Sequence, residues 1–197
     1  MTRKQLENQM LQRLQETSDC APLWKRFFSY GIDYFISTIL ISLIPMVITS
    51  ILTGEKVFTS ENFTSISMNW RILCSVTAML VAVYYYCALP LRENHRGQTL
   101  GKQLMGIRIV AENEEELTWG HILKRELIGS LLVEEETAFP SSYLRYFIFL
   151  WLSQSVSQSI YYVYIGISFC SIMYGIFSMN HRMFHDLIGK TKVVKNR

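Results

Sequence analysis

The chain has 197 residues, 50% of them hydrophobic and 18% charged, which is too apolar for an ordinary soluble domain and too charged for a bare bundle of membrane spans. A net charge of +3 is read as membrane topology and attraction to anionic lipid rather than as a nucleic-acid footprint. The charges must therefore be segregated along the chain.

Residues 1–22 are polar, with Leu6, Met10 and Leu14 at four-residue spacing and Leu11 beside them. This predicts an amphipathic helix on the membrane surface or against another segment. It does not read as a signal peptide, because charge interrupts every apolar stretch.

The run from about 27 to 52 is long enough to cross a bilayer and carries Asp33 as its one charge. A carboxylate at mid-membrane depth disfavours insertion by roughly 2.5 to 3.5 kcal/mol, so Asp33 is expected to face a bundle interior, a partner or water. A second span is predicted at about 70–91, of which 72–91 is free of charge. The stretch from Tyr146 to Met179 is also uncharged but has a polar centre of Ser153, Gln154, Ser155, Ser157, Gln158 and Ser159. It reads either as one long tilted helix or as a hairpin of spans at about 143–158 and 160–179.

Charge asymmetry favours the hairpin. Residues 1–26 hold Arg3, Lys4, Arg13, Lys25 and Arg26, whereas the link after the first span holds only Lys56. The segment from Arg92 to Arg145 and the tail after Asn180 are basic as well, so four crossings place all three basic segments and both termini in the cytoplasm.

The cytoplasmic link at 92–142 is predicted to form a small cap. In Gly97-Gln98-Thr99-Leu100-Gly101-Lys102, two glycines four apart point to a tight turn or short helix where backbone approaches closely. Met105 to Val110 and Thr191 to Lys195 read as short strands that pair, so that cysteines at 108 or its neighbours should bridge to 193. Trp119, Ile122, Leu123, Leu127 and Leu131 fall at helical spacing, with Lys124, Arg125 and Glu126 expected largely on the other side and Thr118 as the N-cap. The glutamates Glu134 to Glu136 read as solvated loop charge, with attraction of cations to a cytoplasmic mouth as the alternative.

Taken in order, Lys25-Arg26-Phe27-Phe28 to Ile32-Asp33, the segment from Gly97 to Lys102, Gly106 to Val110, Arg125-Glu126, and His185-Asp186-Leu187-Ile188-Gly189-Lys190-Thr191 to Val193-Val194 resemble the RDD family of bacterial membrane proteins over residues 24–195. The resemblance implies a family triad of Arg26, Asp33 and Asp186, with transport proposed for the family and sodium-proton exchange attributed to some members. The implied domain runs 23–195: an all-α membrane fold of about four transmembrane helices with a cap containing an interfacial helix and a strand pair.

Arg26 and Asp33 are seven residues apart, which places them on nearly one helix face but roughly 10 Å apart along the axis. They are not expected to touch. Arg26, at the cytoplasmic interface, is predicted to form a salt bridge with Asp186. Asp33 reads either as a polar interhelical packing contact or as the group that exchanges a proton for a monovalent cation.

Soluble-enzyme motifs do not fit. Ile188-Gly189-Lys190-Thr191 looks like the end of a phosphate loop, but Phe184 stands where that motif requires glycine. His181 and His185 lack a third metal ligand, the scattered Cys20, Cys74, Cys87 and Cys170 have no metal spacing, and no nucleophile motif is present. No cofactor, metal, nucleic acid or enzymatic activity is expected. Two functions remain: a small transporter exchanging sodium or another monovalent cation for protons through Asp33, expected to be a homo-oligomer because four short spans hardly enclose an aqueous path, and a non-transporting partner that binds and stabilises another membrane protein.

Overall fold

The computed structural model describes residues 19–54, 65–112, 116–134 and 154–196. The predicted amphipathic segment before residue 19, the outer link at 55–64, and most of the predicted span at 143–158 lie outside the described residues.

Helix α1 runs Leu23–Thr53 and stops at Gly54, whose left-handed φ of 75° lets its amide bond back to the carbonyl of Ser50 at 2.9 Å. Pro45 removes one donor from the helix interior, which membrane helices tolerate where neighbours resatisfy the backbone. The buried residues of α1 are Arg26, Ser29, Asp33, Ser37, Ile41, Pro45 and Thr49, one stripe at three- to four-residue spacing. Phe27, Phe35, Leu43 and Ile51 point outward and are exposed. A helix with polar groups inside and large apolar groups outside is inverted relative to a water-soluble one, and lipid is the solvent that stabilises it.

Helix α2 runs Met68–Val83 and continues as a π-helical turn at Tyr84–Ala88 and a 3-10 turn at Leu89–Leu91. Its inward face is small: Cys74, Ser75, Ala78 and Ala82. Small residues let the two backbones approach, and Ile41 of α1 and Ile66 fill the apolar centre of the contact. Both α1 and the stretch from Met68 to Leu91 are long and apolar enough to cross a membrane.

The cap then builds on itself. After a turn closed by the bond from the Gly97 amide to the Pro90 carbonyl at 2.7 Å, short helix α3 (Leu100–Leu104) lies against α1. Strand β1 (Ile107–Ala111) pairs antiparallel with β2 (Thr191–Lys195), with Ile109 opposite Val193 and Arg108 opposite Val194. The strand pair forms as its alternating residues predict, one position from the expected partnering of 108 with 193. Both outer edges are covered: the Ile109 amide donates to Gly97 at 2.8 Å on one side, and the Ala21 amide donates to Val193 at 2.9 Å on the other. Covered edges remove a template for aggregation. Ile107, Ile109 and Val193 join Ala21, Cys87 and Ile122 in the cap core.

Helix α4 (Trp119–Leu123), preceded by Thr118, passes into a π-helical run at Lys124–Glu134. Helix α5 (Gln154–Phe177) leads to short α6 (Phe184–Ile188), which packs on that π-helical run. The turn expected near residue 159, between spans at 143–158 and 160–179, is not formed. Residues 154–177 are one continuous helix through the expected break, since serine and glutamine do not interrupt a helix and no glycine or proline occurs between Gln154 and Ile165. Four crossings are therefore not established; α5 has an apolar portion at Tyr162–Phe177, shorter than a full span.

Candidate functional site

Two buried carboxylates organise the cap. The first is Asp33, 1% exposed on the inner stripe of α1. Its Oδ1 accepts from the Tyr85 hydroxyl at 2.7 Å and the Gly101 amide at 2.7 Å. Its Oδ2 accepts from the Thr99 hydroxyl at 2.5 Å, and the Lys102 ammonium lies 3.5 Å away. Lys102 also donates to Thr99 at 3.3 Å.

Three of Asp33's four partners belong to the segment from Thr99 to Lys102, so the carboxylate docks that segment on α1. Helix α1, with 31 residues and a rise of about 46 Å, is longer than a hydrocarbon core of about 30 Å. Glycine at 101 makes the approach feasible. A Cβ there would lie 2.4 Å from the Ser29 carbonyl and 2.7 Å from the Asp33 carboxyl carbon. Gly97 is required twice over, by its φ of 83° and because a Cβ would lie 2.2 Å from the Ile109 carbonyl oxygen.

Tyr85 reaches Asp33 because the π-helical turn widens the helix there. Tyr86 bonds Ser37 at 2.8 Å, so two consecutive tyrosines contact the polar stripe of α1.

The second carboxylate is Asp186, fully buried in α6. Arg26 donates through Nη2 to its Oδ2 and through Nη1 to the His181 carbonyl. Arg125 donates through Nη1 to Oδ1, reaches Thr191 Oγ1 at 3.3 Å and holds Glu126 through Nε at 2.8 Å. The Met183 amide adds a bond to Oδ2 at 3.1 Å, and His185 Nε2 lies 3.6 Å from Oδ1.

Arg125 is buried in this node, not on the solvent side that regular helical spacing predicts. The π-helical run beginning at Lys124 shifts the register of the face. Small residues seat the parts: a Cβ on Gly129 would lie 2.6 Å from the His185 Cα, and one on Gly189 would lie 2.6 Å from the Arg125 Cβ.

Burial opposes ionisation of Asp186, but the Arg125 and Arg26 guanidiniums, with His185, outweigh it and hold its carboxyl far below the usual carboxylate range. Burial likewise works against the Arg125 charge, yet the neighbouring Asp186 and Glu126 push its pKa up. Each charge is tolerated because of the other. Among the described residues no three histidine, cysteine or acidic side chains converge on a metal position.

Of the sequence-marked residues, Asp33 thus gathers Thr99, Gly101 and Lys102, while Arg26, Asp186, Arg125 and Glu126 form the other node. Gly97 shapes the turn between α2 and α3 without touching either carboxylate. Tyr85 and Thr191 complete the two nodes; Thr191 lies in the segment from His185 to Thr191 that carries the family resemblance, whereas Tyr85 belongs to no motif.

An inverted membrane helix pair carrying a cap that is clamped by two buried acids defines a helical membrane protein. The chain belongs to the RDD family, whose model matches residues 20–190. It is 26% identical, over all of its own length and 96% of the relative's, to a protein of Bacillus subtilis (strain 168) described as the uncharacterized membrane protein YteJ. No solved structure matches the chain.

Proposed function

We propose that this protein is a membrane-anchored platform that binds and stabilises another membrane protein and has no enzymatic activity. The observation that carries this reading is the saturation of both carboxylates by donors of the same chain. A carboxylate filled in this way fixes shape. Asp33 fixes α3 on α1, and Asp186 fixes α6 and the π-helical run at Lys124–Glu134 on α1. The cap so held leaves Leu104, Trp119, Ile128 and Leu187 exposed. In this reading the protein spans the bacterial cytoplasmic membrane several times, with the cap and both termini in the cytoplasm.

Co-purification of the full chain from native membranes tests the platform. A membrane protein recovered in stoichiometric amount, and lost with Asp33→Ala, is expected; a chain recovered alone in both forms contradicts it.

A second reading rests on Lys102. Its ammonium is the one positive group beside Asp33 among the described contacts, at 3.5 Å, so a proton or a free cation could neutralise the carboxylate in its place. The protein would then exchange a monovalent cation such as sodium for protons at Asp33, with several copies forming the path. Flux in proteoliposomes that is abolished by Asp33→Asn supports exchange, and equal flux in that variant rejects it.

A further inference from the structure

The ends of α1 and α2 nearest the cap carry the same pairing of side chains. In the first turn of α1, Trp24 is 55% exposed and the Lys25 ammonium stands over its ring, 5.7 Å from the centroid. Just past α2, the Arg92 guanidinium stands over Tyr84, which is 47% exposed, at 5.5 Å. Phe28 meets Trp24 edge to face at 6.4 Å, and Phe27 meets Phe28 in the same way at 5.8 Å, so an exposed aromatic surface continues along α1. An exposed ring beside a cation is how a membrane helix meets the headgroup layer, with the ring body in apolar surroundings and the charge in wet ones.

The partners of the cations separate them into two groups. Arg26, Arg125, Lys102 and Arg182 each meet a carboxylate. Among the described residues Lys25 and Arg92 meet none within ion-pair distance, although Glu93 directly follows Arg92. A ring takes one face of each cation and leaves its other N–H donors for an anion. Beside an apolar aromatic surface in a bilayer, the anion at hand is a lipid phosphate.

We propose that the cap-side rim of α1 and α2 binds anionic phospholipid, with Lys25 and Arg92 holding headgroup phosphates and Trp24 and Tyr84 resting against the upper acyl chains. Each ring steadies the cation that lies on it, so less freedom is lost when the phosphate binds. A headgroup without an ammonium of its own is preferred, because nothing on the lipid then competes for the phosphate. The site lies on the lipid-facing surface and is independent of what the cap binds and of any flux.

Quenching by brominated lipid tests it. The full chain is reconstituted with Trp24 as its only tryptophan, after Trp70→Phe, Trp119→Phe and Trp151→Phe, in bilayers of equal phosphatidylglycerol and phosphatidylcholine content. Bromine on the acyl chains of one lipid or the other reports which of them touches the ring. The phosphatidylglycerol-to-phosphatidylcholine ratio around Trp24 is expected roughly fivefold above that of the bilayer, the preference that one basic side chain supplies near a membrane surface. Lys25→Gln returns it to the bilayer ratio and Arg92→Gln leaves it high. In a second chain, with Trp24→Phe added and Tyr84→Trp as the reporter, the two variants exchange roles. Lys124→Gln removes the same charge from an exposed position on the π-helical run and alters neither ratio.

If the tryptophan-depleted chains do not fold, the native chain in detergent carries the test. Phosphatidylglycerol raises its thermal unfolding midpoint more than phosphatidylcholine does, and the double variant Lys25→Gln with Arg92→Gln loses that difference. Equal quenching by the two lipids, equal midpoints, or the same loss in Lys124→Gln overturns the proposal.

Discussion

The two carboxylate nodes solve the same problem in opposite ways. Asp186 is neutralised inside the protein by two guanidiniums that come from helices about 60 and 160 positions away in sequence, with a histidine close by. Asp33 is held by two hydroxyls, one backbone amide and a single, longer-range ammonium. The first node is a clamp that joins distant parts of the chain. The second is a latch whose charge balance depends on one flexible side chain. A buried acid met by surplus positive charge has one ionisation state over the accessible pH range, whereas one met by neutral donors and a lone lysine is the group whose partner can change.

The largest effect separating the two is expected at the clamp. Asp186→Asn takes the shared carboxylate charge from two buried guanidiniums, leaving Arg26 with a carbonyl and Arg125 with Glu126. Removing one partner from a buried pair typically costs about 3 to 5 kcal/mol. Denaturant unfolding in detergent should show a loss of that size, larger than for any single change at Asp33. Reversing Arg26 and Asp186 together does not repair the node, because an arginine at 186 faces Arg125. Recovery in that double reversal would mean Arg125 contributes little.

The next effect is at the latch. Gly101→Ala forces a Cβ against the Ser29 carbonyl and the Asp33 carboxyl, and overpacking of this kind costs about 1 to 3 kcal/mol. Gly31→Ala, with nothing within 4 Å of its Cβ, serves as the control and should keep the unfolding midpoint or raise it, since alanine favours a helix interior over glycine. Equal effects at the two glycines would dissolve the latch.

A smaller difference should appear with pH. The folded carboxyl of Asp186 is depressed, so its contribution is fully present above the ordinary carboxylate range near 3.9 and is lost as pH falls below it. The stability gap between the native chain and Asp186→Asn should be constant from pH 7 to about 5 and shrink only under acid conditions near the carboxylate range. A gap that closes between pH 6 and 7 would show that another group governs the clamp.

The smallest effect checks register. With the native cysteines replaced, Arg108→Cys and Val194→Cys should bridge under oxidation, because partnered residues place their Cβ atoms on one side of the sheet. Arg108→Cys with Val193→Cys should not, since those side chains leave opposite faces.

Much of this arrangement is legible in the residues. The alternation in Ile107-Arg108-Ile109-Val110 and in Thr191-Lys192-Val193-Val194 marks two strands, and a lone aspartate in an apolar run marks a sheltered acid. The glycine spacing in the segment from Gly97 to Lys102 marks a close approach. What helical periodicity misses has a common cause. Both Tyr85 and Arg125 sit in π-helical segments, where the wider turn breaks the 3.6-residue rule used to assign faces. The expected turn near Ser159 fails for a different reason: polarity within an apolar run marks where a helix is less comfortable in lipid, not where its backbone stops.

Hydrogen exchange of the reconstituted chain with Asp33→Ala tests most directly whether this carboxylate docks the Thr99 to Lys102 segment onto α1. Amides from Gln98 to Leu104 should lose protection, the Gly101 amide foremost, while those of β1 and β2 keep theirs. Unchanged protection at Gly101 would contradict the account.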